Sequence, residues 1–210
     1  MKNLLSRWRA KAGIDARQNA DVRRALVETL YASPTSLTVG AIAGSAVSIA
    51  VARVAEDACV TFMAVLICLT AASRVVSATY FHRSMTKGVA KGSRNWELAY
   101  ELGAWIYAAL LGLLAFIVLF RSDNAIIHML AVSLATGYSG GISGRNAGRV
   151  HIAIGQVFLS LAPTALGLWL VGDTGYRILS LVLVLMIPGM AEISNTTHRI
   201  VLEALTGKQQ

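Results

Sequence analysis

The sequence predicts an all-α polytopic integral membrane protein, a bundle of six transmembrane helices with both termini in the cytoplasm. Of its 210 residues, 55% are hydrophobic and 14% are charged, whereas roughly a quarter of the residues in a soluble domain are charged. The apolar residues fall into six runs close to the ~20 residues that cross a ~30 Å hydrocarbon core. Because a backbone in lipid must satisfy its own hydrogen bonds, we expect these runs to be helices.

Short polar turns and two longer connections separate the predicted spans. The spans cover 34–54, 57–80, 100–120, 125–142, 150–171 and 176–197. The polar segments 53–57, 121–124 and 172–175 each fit a tight hairpin. The fourth span is the least apolar, because glycines and serines dilute its far end.

The segments that flank the spans are predicted to be cytoplasmic. Residues 1–33 are basic and lack the apolar core of a secretory signal. Within them, 21–31 carries apolar residues at helical spacing. It is expected either to lie along the interface as an amphipathic helix attracted to anionic lipid, or to extend the first span as a solvated helix. Residues 198–210 are expected to continue the sixth helix.

Lysine and arginine set the predicted orientation, since cytoplasmic connections carry the excess of basic residues. Sixteen of the nineteen basic residues lie on one side: fifteen in the two terminal segments and in the connections after spans two and four, and Arg74 near the adjoining end of span two. The other side has only Arg53, Arg121 and Arg177. Every alternate connection follows the bias, which supports both the number of spans and their direction.

Small residues and prolines indicate how the spans pack. Four small residues recur every fourth position along span one, namely Gly40, Gly44, Ser48 and Ala52. Such a stripe lets helix backbones approach closely in lipid, and its partner is either another span or a second protomer. Pro163 and Pro188 lie near the middle of spans five and six. Each favours a bend, which is either static or a hinge that transmits motion to the C-terminus.

Ionisable residues near the cytoplasmic boundary suggest an ion pair. Arg74, Glu101 and Glu192 all fall within a turn or two of that boundary, and a charge near lipid usually has a partner. Arg74 is expected to pair with Glu101 or Glu192, or else to extend its charged head to the lipid headgroups.

The sequence has no phosphate-binding loop, nucleophile elbow or Cys/His metal spacing. We therefore expect no catalytic, cofactor or metal site. Three histidines, His82, His151 and His198, lie near the predicted cytoplasmic ends of spans two, five and six. Two of them on facing helices would suit the axial ligation of haem, which is the alternative to ordinary interfacial histidines.

Several segments resemble a membrane region found at the N-terminus of many bacterial diguanylate cyclases of the GGDEF type. The most specific is 137–149, GYSGGISGRNAGR, and the others are YASP at 31–34, WELAYELGAW at 96–105, RSD at 121–123 and HRIVLEAL at 198–205. The resemblance covers residues 25–206. It implies a sensory or anchoring input domain in the bacterial inner membrane.

The cyclase domain of that family is absent, because its Gly-Gly-Asp/Glu-Glu-Phe signature occurs nowhere in this sequence. The chain is expected to be an excised membrane module or a protein that carries the module alone, and no cyclase activity is expected of it. Within the resembling loop, Arg145, Asn146 and Arg149 are candidate contacts for a lipid phosphate or another anion, helped by glycine N–H groups. The alternative is a basic turn without a ligand.

Three classes of function fit the sequence. The first is a membrane signalling module whose last helix passes a change in tilt, rotation or association to a cytoplasmic output domain or partner. The second is a small transporter or channel, and the third is a haem-binding redox protein. The expected partners are membrane lipids and a second copy of the chain; nucleic acid is not expected.

Overall fold

A computed structural model describes residues 30–31, 34–86, 94–146 and 149–207. Six α-helices account for almost all of this part: α1 Pro34–Ala55, α2 Ala58–Thr86, α3 Arg94–Arg121, α4 Ala125–Arg145, α5 Val150–Val171 and α6 Thr174–Gly207. The described residues contain no strand. The predicted interfacial helix at 21–31 lies outside the described residues apart from Leu30 and Tyr31, as does 208–210.

All six helices are long and apolar enough to cross a membrane. The predicted all-α class with six such helices is therefore confirmed. The helices α2, α3 and α6 are longer than the predicted spans, at 29, 28 and 34 residues. Their extra turns carry polar residues, because a helix does not need to end where its apolar stretch ends.

Side-chain caps and one glycine explain where the short turns fall. Asp57 precedes α2, and its Oδ1 accepts hydrogen bonds from the backbone N–H groups of Cys59 and Val60, at 2.8 and 3.0 Å. Asn124 caps α4 in the same way, accepting from the N–H of Ile126 at 2.9 Å. Both satisfy helix N–H groups that have no partner within the helix. Gly172 ends α5 with φ of 92°, a left-handed conformation that favours glycine.

The helices α3 and α5 form the centre of the bundle. They contact each other most extensively; α2 and α4 also pack against α3, and α4 and α6 against α5. The helix α1 packs on α2 and α4. Half of the most apolar stretch of α3 is buried, against 17% of that of α6. The last helix is therefore the most peripheral of the six.

Glycines set the distance between α3 and α5. A Cβ placed on Gly112 would lie 2.6 Å from the backbone oxygen of Leu159. One on Gly155 would lie 2.5 Å from Nε1 of Trp105. The two helices thus approach at backbone distance at one point and seat a tryptophan ring at another, in the manner of small-residue packing in membranes.

The small-residue stripe of α1 faces the interior of the same chain. Gly44, Ser48 and Ala52 are buried. The phenol oxygen of Tyr107 on α3 lies where a Cβ on Gly44 would be, and its hydroxyl donates to the carbonyl of Gly40 at 3.4 Å. The stripe was predicted to pack on another span or on a second protomer. For this part of α1, the structure shows that it packs on another span of the same chain.

Contacts at both ends show that successive helices run in opposite directions. Tyr31, Phe81, Tyr100 and Ile152 share one buried cluster, which brings together the start of α1, the end of α2 and the starts of α3 and α5. We call this the aromatic end. The three turns at 56–57, 122–124 and 172–173 lie at the other end, which we call the hairpin end. There Arg121 Nη1 lies 3.6 Å from Asp57 Oδ2.

Candidate functional sites at the two ends of the bundle

Stacked aromatic rings hold the aromatic end together. The rings of Tyr31 and Phe81 stack with centroids 4.0 Å apart, and Trp96 and Tyr100 meet Tyr31 edge-on. The Tyr31 hydroxyl donates to the carbonyl of Trp96 at 2.9 Å. Burial raises the pKa of Tyr31 from 10.0 to about 12. This phenol therefore stays neutral and available as a donor at physiological pH.

Beneath these rings, a chain of buried side-chain hydrogen bonds joins α3, α4 and α5. The Tyr100 hydroxyl donates to Asn146 Oδ1 at 2.7 Å. Asn146 Nδ2 donates to Gln156 Oε1, and Gln156 Nε2 donates to the Tyr138 hydroxyl at 2.6 Å. Both amides are fully buried. An unpaired buried amide is costly, so this network holds Asn146, directly after α4, against the starts of α3 and α5.

Polar residues continue from this network along α5. Gln156, Ser160 and Thr164 recur every fourth residue, and all three are fully buried. The Ser160 hydroxyl lies 2.7 Å from that of Ser139 on α4, and the Thr164 hydroxyl donates to the Ser160 carbonyl at 2.7 Å. We call Gln156, Ser160, Thr164 and Ser139 the polar seam. Each of its side chains has a hydrogen-bond partner, so none of the four is left unsatisfied.

Sequence reasoning missed Gln156 and the polar seam. A single glutamine within a long apolar run signals a buried hydrogen bond, because lipid offers it no partner. Its four-residue spacing to Ser160 and Thr164 places all three on one helix face. That pattern was present in the sequence.

The predicted lipid or anion contacts have different surroundings. Asn146 lies inside the bundle and is fully buried. Arg149 Nε lies 2.7 Å from Glu97 Oε1, in an ion pair that joins the start of α5 to the start of α3. The side chain of Arg145 lies outside the described residues. The structure thus moves Asn146 from the predicted anion contact into the interior and gives Arg149 a carboxylate partner.

The structure does not bring Arg74, Glu101 and Glu192 together. The guanidinium carbon of Arg74 lies 5.0 Å from the centre of the Tyr107 ring, a cation–π geometry. One of its terminal nitrogens is buried without a hydrogen-bond partner. Glu101 Oε1 lies 3.6 Å from His151 Nε2 instead. Glu192 is exposed on α6.

The candidate haem ligands lie on three different helices. His82 on α2 and His151 on α5 are exposed, and His198 on α6 is partly exposed. Among the described residues, no group of three or more His, Cys, Asp or Glu is arranged to hold a metal ion. The haem alternative stays an untested prediction.

The two prolines lie within unbroken helices. Pro163 is partly buried in α5, and Pro188 is exposed in α6. These two helices pack against each other. Whether Pro163 and Pro188 act as hinges stays a prediction.

A cavity of about 300 Å³ lies between α4, α5 and α6 near the hairpin end. Its wall consists of Ala125, His128, Met129, Val132, Ser133, Thr136, Leu168, Tyr176 and Leu179. Four of these, Ala125, Met129, Ser133 and Leu179, are exposed, so the cavity opens sideways between α4 and α6. The cavity reaches the first turns of α6 at Tyr176 and contains the side chain of His128.

His128 joins three elements at this cavity. The residue is 6% exposed. Nε2 lies 2.6 Å from the carbonyl oxygen of Ser122, in the turn before α4, and Nδ1 lies 2.8 Å from the Tyr176 hydroxyl on α6. Both ring nitrogens are thus engaged, and the histidine holds the first turn of α6 against α4.

Comparison of the chain with protein-family models, with curated proteins and with solved structures finds no match in any of the three.

Proposed function

We propose that the chain is a membrane-embedded sensory or anchoring module of a bacterial signalling protein. In this proposal it crosses the inner membrane six times, with the aromatic end and both termini in the cytoplasm. The last helix passes a change in tilt, rotation or association to a cytoplasmic output. The resemblance of 137–149 to the membrane regions of diguanylate cyclases supports an output of the cyclic di-GMP type.

The observation that carries the proposal is the length and exposure of α6. Its 34 residues form one helix, which at 1.5 Å per residue is about 50 Å long, against a ~30 Å hydrocarbon core. Its candidate membrane span covers Thr174–Ile200, and the helix continues to Gly207. A continuous rod of this kind would connect the membrane interior with the cytoplasm.

The packing of the bundle supports α6 as the moving element. The helices α3 and α5 are locked by glycine contacts, by the polar seam and by the network around Asn146. By contrast, α6 contacts mainly α5 and α4, and most of its apolar surface is exposed. Moving α6 therefore breaks fewer contacts than moving any central helix, as expected of an element that rotates or slides in a switch.

The test uses the full chain with a dimerisation-dependent reporter after Gln210. One to four alanines are inserted directly after Glu203. Each alanine turns the downstream helix by about 100°, so we expect the reporter output to vary with a period of roughly 3.6 residues. The control has the same alanines inserted after a flexible Gly-Ser linker, where no periodicity is expected. An output that ignores the insertions, or falls steadily with their number, would contradict signalling through α6.

A further inference from the structure

We propose that the cavity lined by His128 and Tyr176 binds a small, uncharged, lipid-soluble alcohol or phenol. At about 300 Å³, it is at the lower end of the range for small-molecule sites. Its side opening between α4 and α6 faces the region that lipid would occupy, so a ligand would enter from the membrane. This site goes beyond the proposed function, and binding to it does not require that α6 transmit a signal.

The hydrogen bonds of His128 fix what the cavity presents to a ligand. A carbonyl oxygen only accepts, so the short contact with Ser122 places a hydrogen on Nε2. In the neutral ring Nδ1 is then an acceptor, and the Tyr176 hydroxyl donates to it. The hydrogen of Tyr176 is thus used within the protein, and its oxygen keeps lone pairs to accept a further hydrogen bond.

A second hydroxyl in the wall is arranged in the same way. The Thr136 hydroxyl donates to the carbonyl of Val132, one turn earlier in α4, at 2.9 Å. Its oxygen also remains an acceptor. Two of the polar groups in the wall therefore accept, which favours a ligand that donates, as an alcohol or a phenol does.

The rest of the cavity wall favours a ligand whose remaining part is apolar and uncharged. Val132, Leu168 and Leu179 supply its aliphatic surface, and no Lys, Arg, Asp or Glu lies among the residues that line the cavity. A charged ligand would lose its hydration there without gaining an opposite charge. The third hydroxyl, that of Ser133, is exposed at the opening.

The test is photolabelling of the purified full chain in phospholipid nanodiscs. The probe is an eight-carbon alcohol that carries a photoreactive diazirine, and its matched control is the methyl ether of the same molecule. We expect the alcohol to label peptides that contain Met129, Val132 or Leu179, and unlabelled octanol to compete with it. The ether cannot donate a hydrogen bond, so its labelling at these positions should be about two- to tenfold weaker.

Four variants separate the site from general contact with lipid. Tyr176→Phe removes one of the two accepting oxygens and should lower labelling by the alcohol towards the level of the ether, and the double variant with Thr136→Val should lower it to that level. Leu179→Trp fills the cavity and should abolish labelling. Leu185→Trp makes the same change on the same helix at a residue that is 72% exposed, and it should leave labelling unchanged.

Equal labelling by the alcohol and the ether would overturn the inference, since the cavity would then accept any apolar chain. Labelling that octanol does not compete away, or that persists in Leu179→Trp, would overturn it as well. If the chain binds the alcohol but shows no periodic output after alanine insertion, the proposed function is contradicted and the binding site is not.

Discussion

At the residue scale, the Asn146 side chain joins three elements at the aromatic end. It accepts from Tyr100 on α3 and donates to Gln156 on α5, and it lies just after α4. The oxygen and the nitrogen of its amide therefore each have a hydrogen-bond partner within the protein. Two specific hydrogen bonds thus fix the position of the Asn146 side chain directly after α4.

Asn146→Ala should destabilise the protein strongly. It leaves the Tyr100 hydroxyl and the Gln156 carbonyl buried without partners, at roughly 1–3 kcal/mol for each orphaned group. Thermal unfolding of the purified protein in detergent measures the effect. Asn95→Ala is the matched control, because Asn95 is exposed near the start of α3. Equal stability of the two variants would show that the network contributes little.

We predict that the folded protein loses stability at high pH because Tyr31 is buried. Its pKa is raised from 10.0 to about 12 by burial, so the folded state favours the neutral phenol. This contribution is fully present below pH 10 and is lost as the pH rises through 12. Tyrosinate absorbance should show a transition near pH 12 that is missing in Tyr31→Phe. A transition near pH 10 that Tyr31→Phe removes would contradict the burial of this ring.

At the element scale, the close approach of α3 and α5 fixes the centre of the bundle, and α6 packs on its outside against α5 and α4. Gly112 allows the approach of α3 to α5, whereas His128 and Tyr176 tie α6 to α4. The two central helices form a rigid frame. The peripheral helix is held by the contact between His128 and Tyr176, by the Ser180 hydroxyl, which donates to the carbonyl of Ala165 at 2.7 Å, and by apolar packing on α5.

Gly112→Ala should destabilise the α3–α5 contact. The added methyl group would lie within 3 Å of the backbone oxygens of Leu159 and Ser160, and backbone cannot move aside as a flexible side chain can. Overpacking of this kind costs about 1–3 kcal/mol. Thermal unfolding in detergent measures the loss.

Gly140→Ala is the control for this change, because a Cβ there would meet nothing within 4 Å. In a helix this replacement is favourable by up to about 1 kcal/mol. Gly140→Ala should therefore be as stable as the unchanged protein, or slightly more stable. A Gly112→Ala variant that matches it would contradict the backbone contact between α3 and α5.

The sequence predicted the six helices well, because a run of ~20 apolar residues has few structural alternatives. It also placed short polar turns at 53–57, 121–124 and 172–175, and the structure has its turns within these ranges; the caps formed by Asp57 and Asn124 were not predicted. It did not predict which polar residues turn inward. Asn146 was assigned to a basic surface loop, and Gln156 was passed over. Their burial depends on how three helices meet, which the periodicity of one helix does not encode.

At the scale of the whole molecule, signalling through α6 depends on the orientation of the bundle in the membrane. Contacts within the described residues bring the start of α1, the end of α2 and the starts of α3 and α5 to one end. The hairpins that hold Asp57, Ser122 and Gly172 lie at the other. The positive-inside bias then predicts that the aromatic end faces the cytoplasm. Only in that orientation does α6 deliver its C-terminal turns to a cytoplasmic output.

The most direct test fuses a reporter that is active only in the periplasm at individual connections of the chain. Fusions at Asp57, Asp123 and Asp173 should be active, whereas fusions at Lys87 and after Gln210 should be silent. A fluorescent protein that folds only in the cytoplasm should give the reverse pattern at the same five positions. Strong periplasmic activity at Lys87, or after Gln210, would contradict six crossings with both termini inside and, with them, an output delivered by α6.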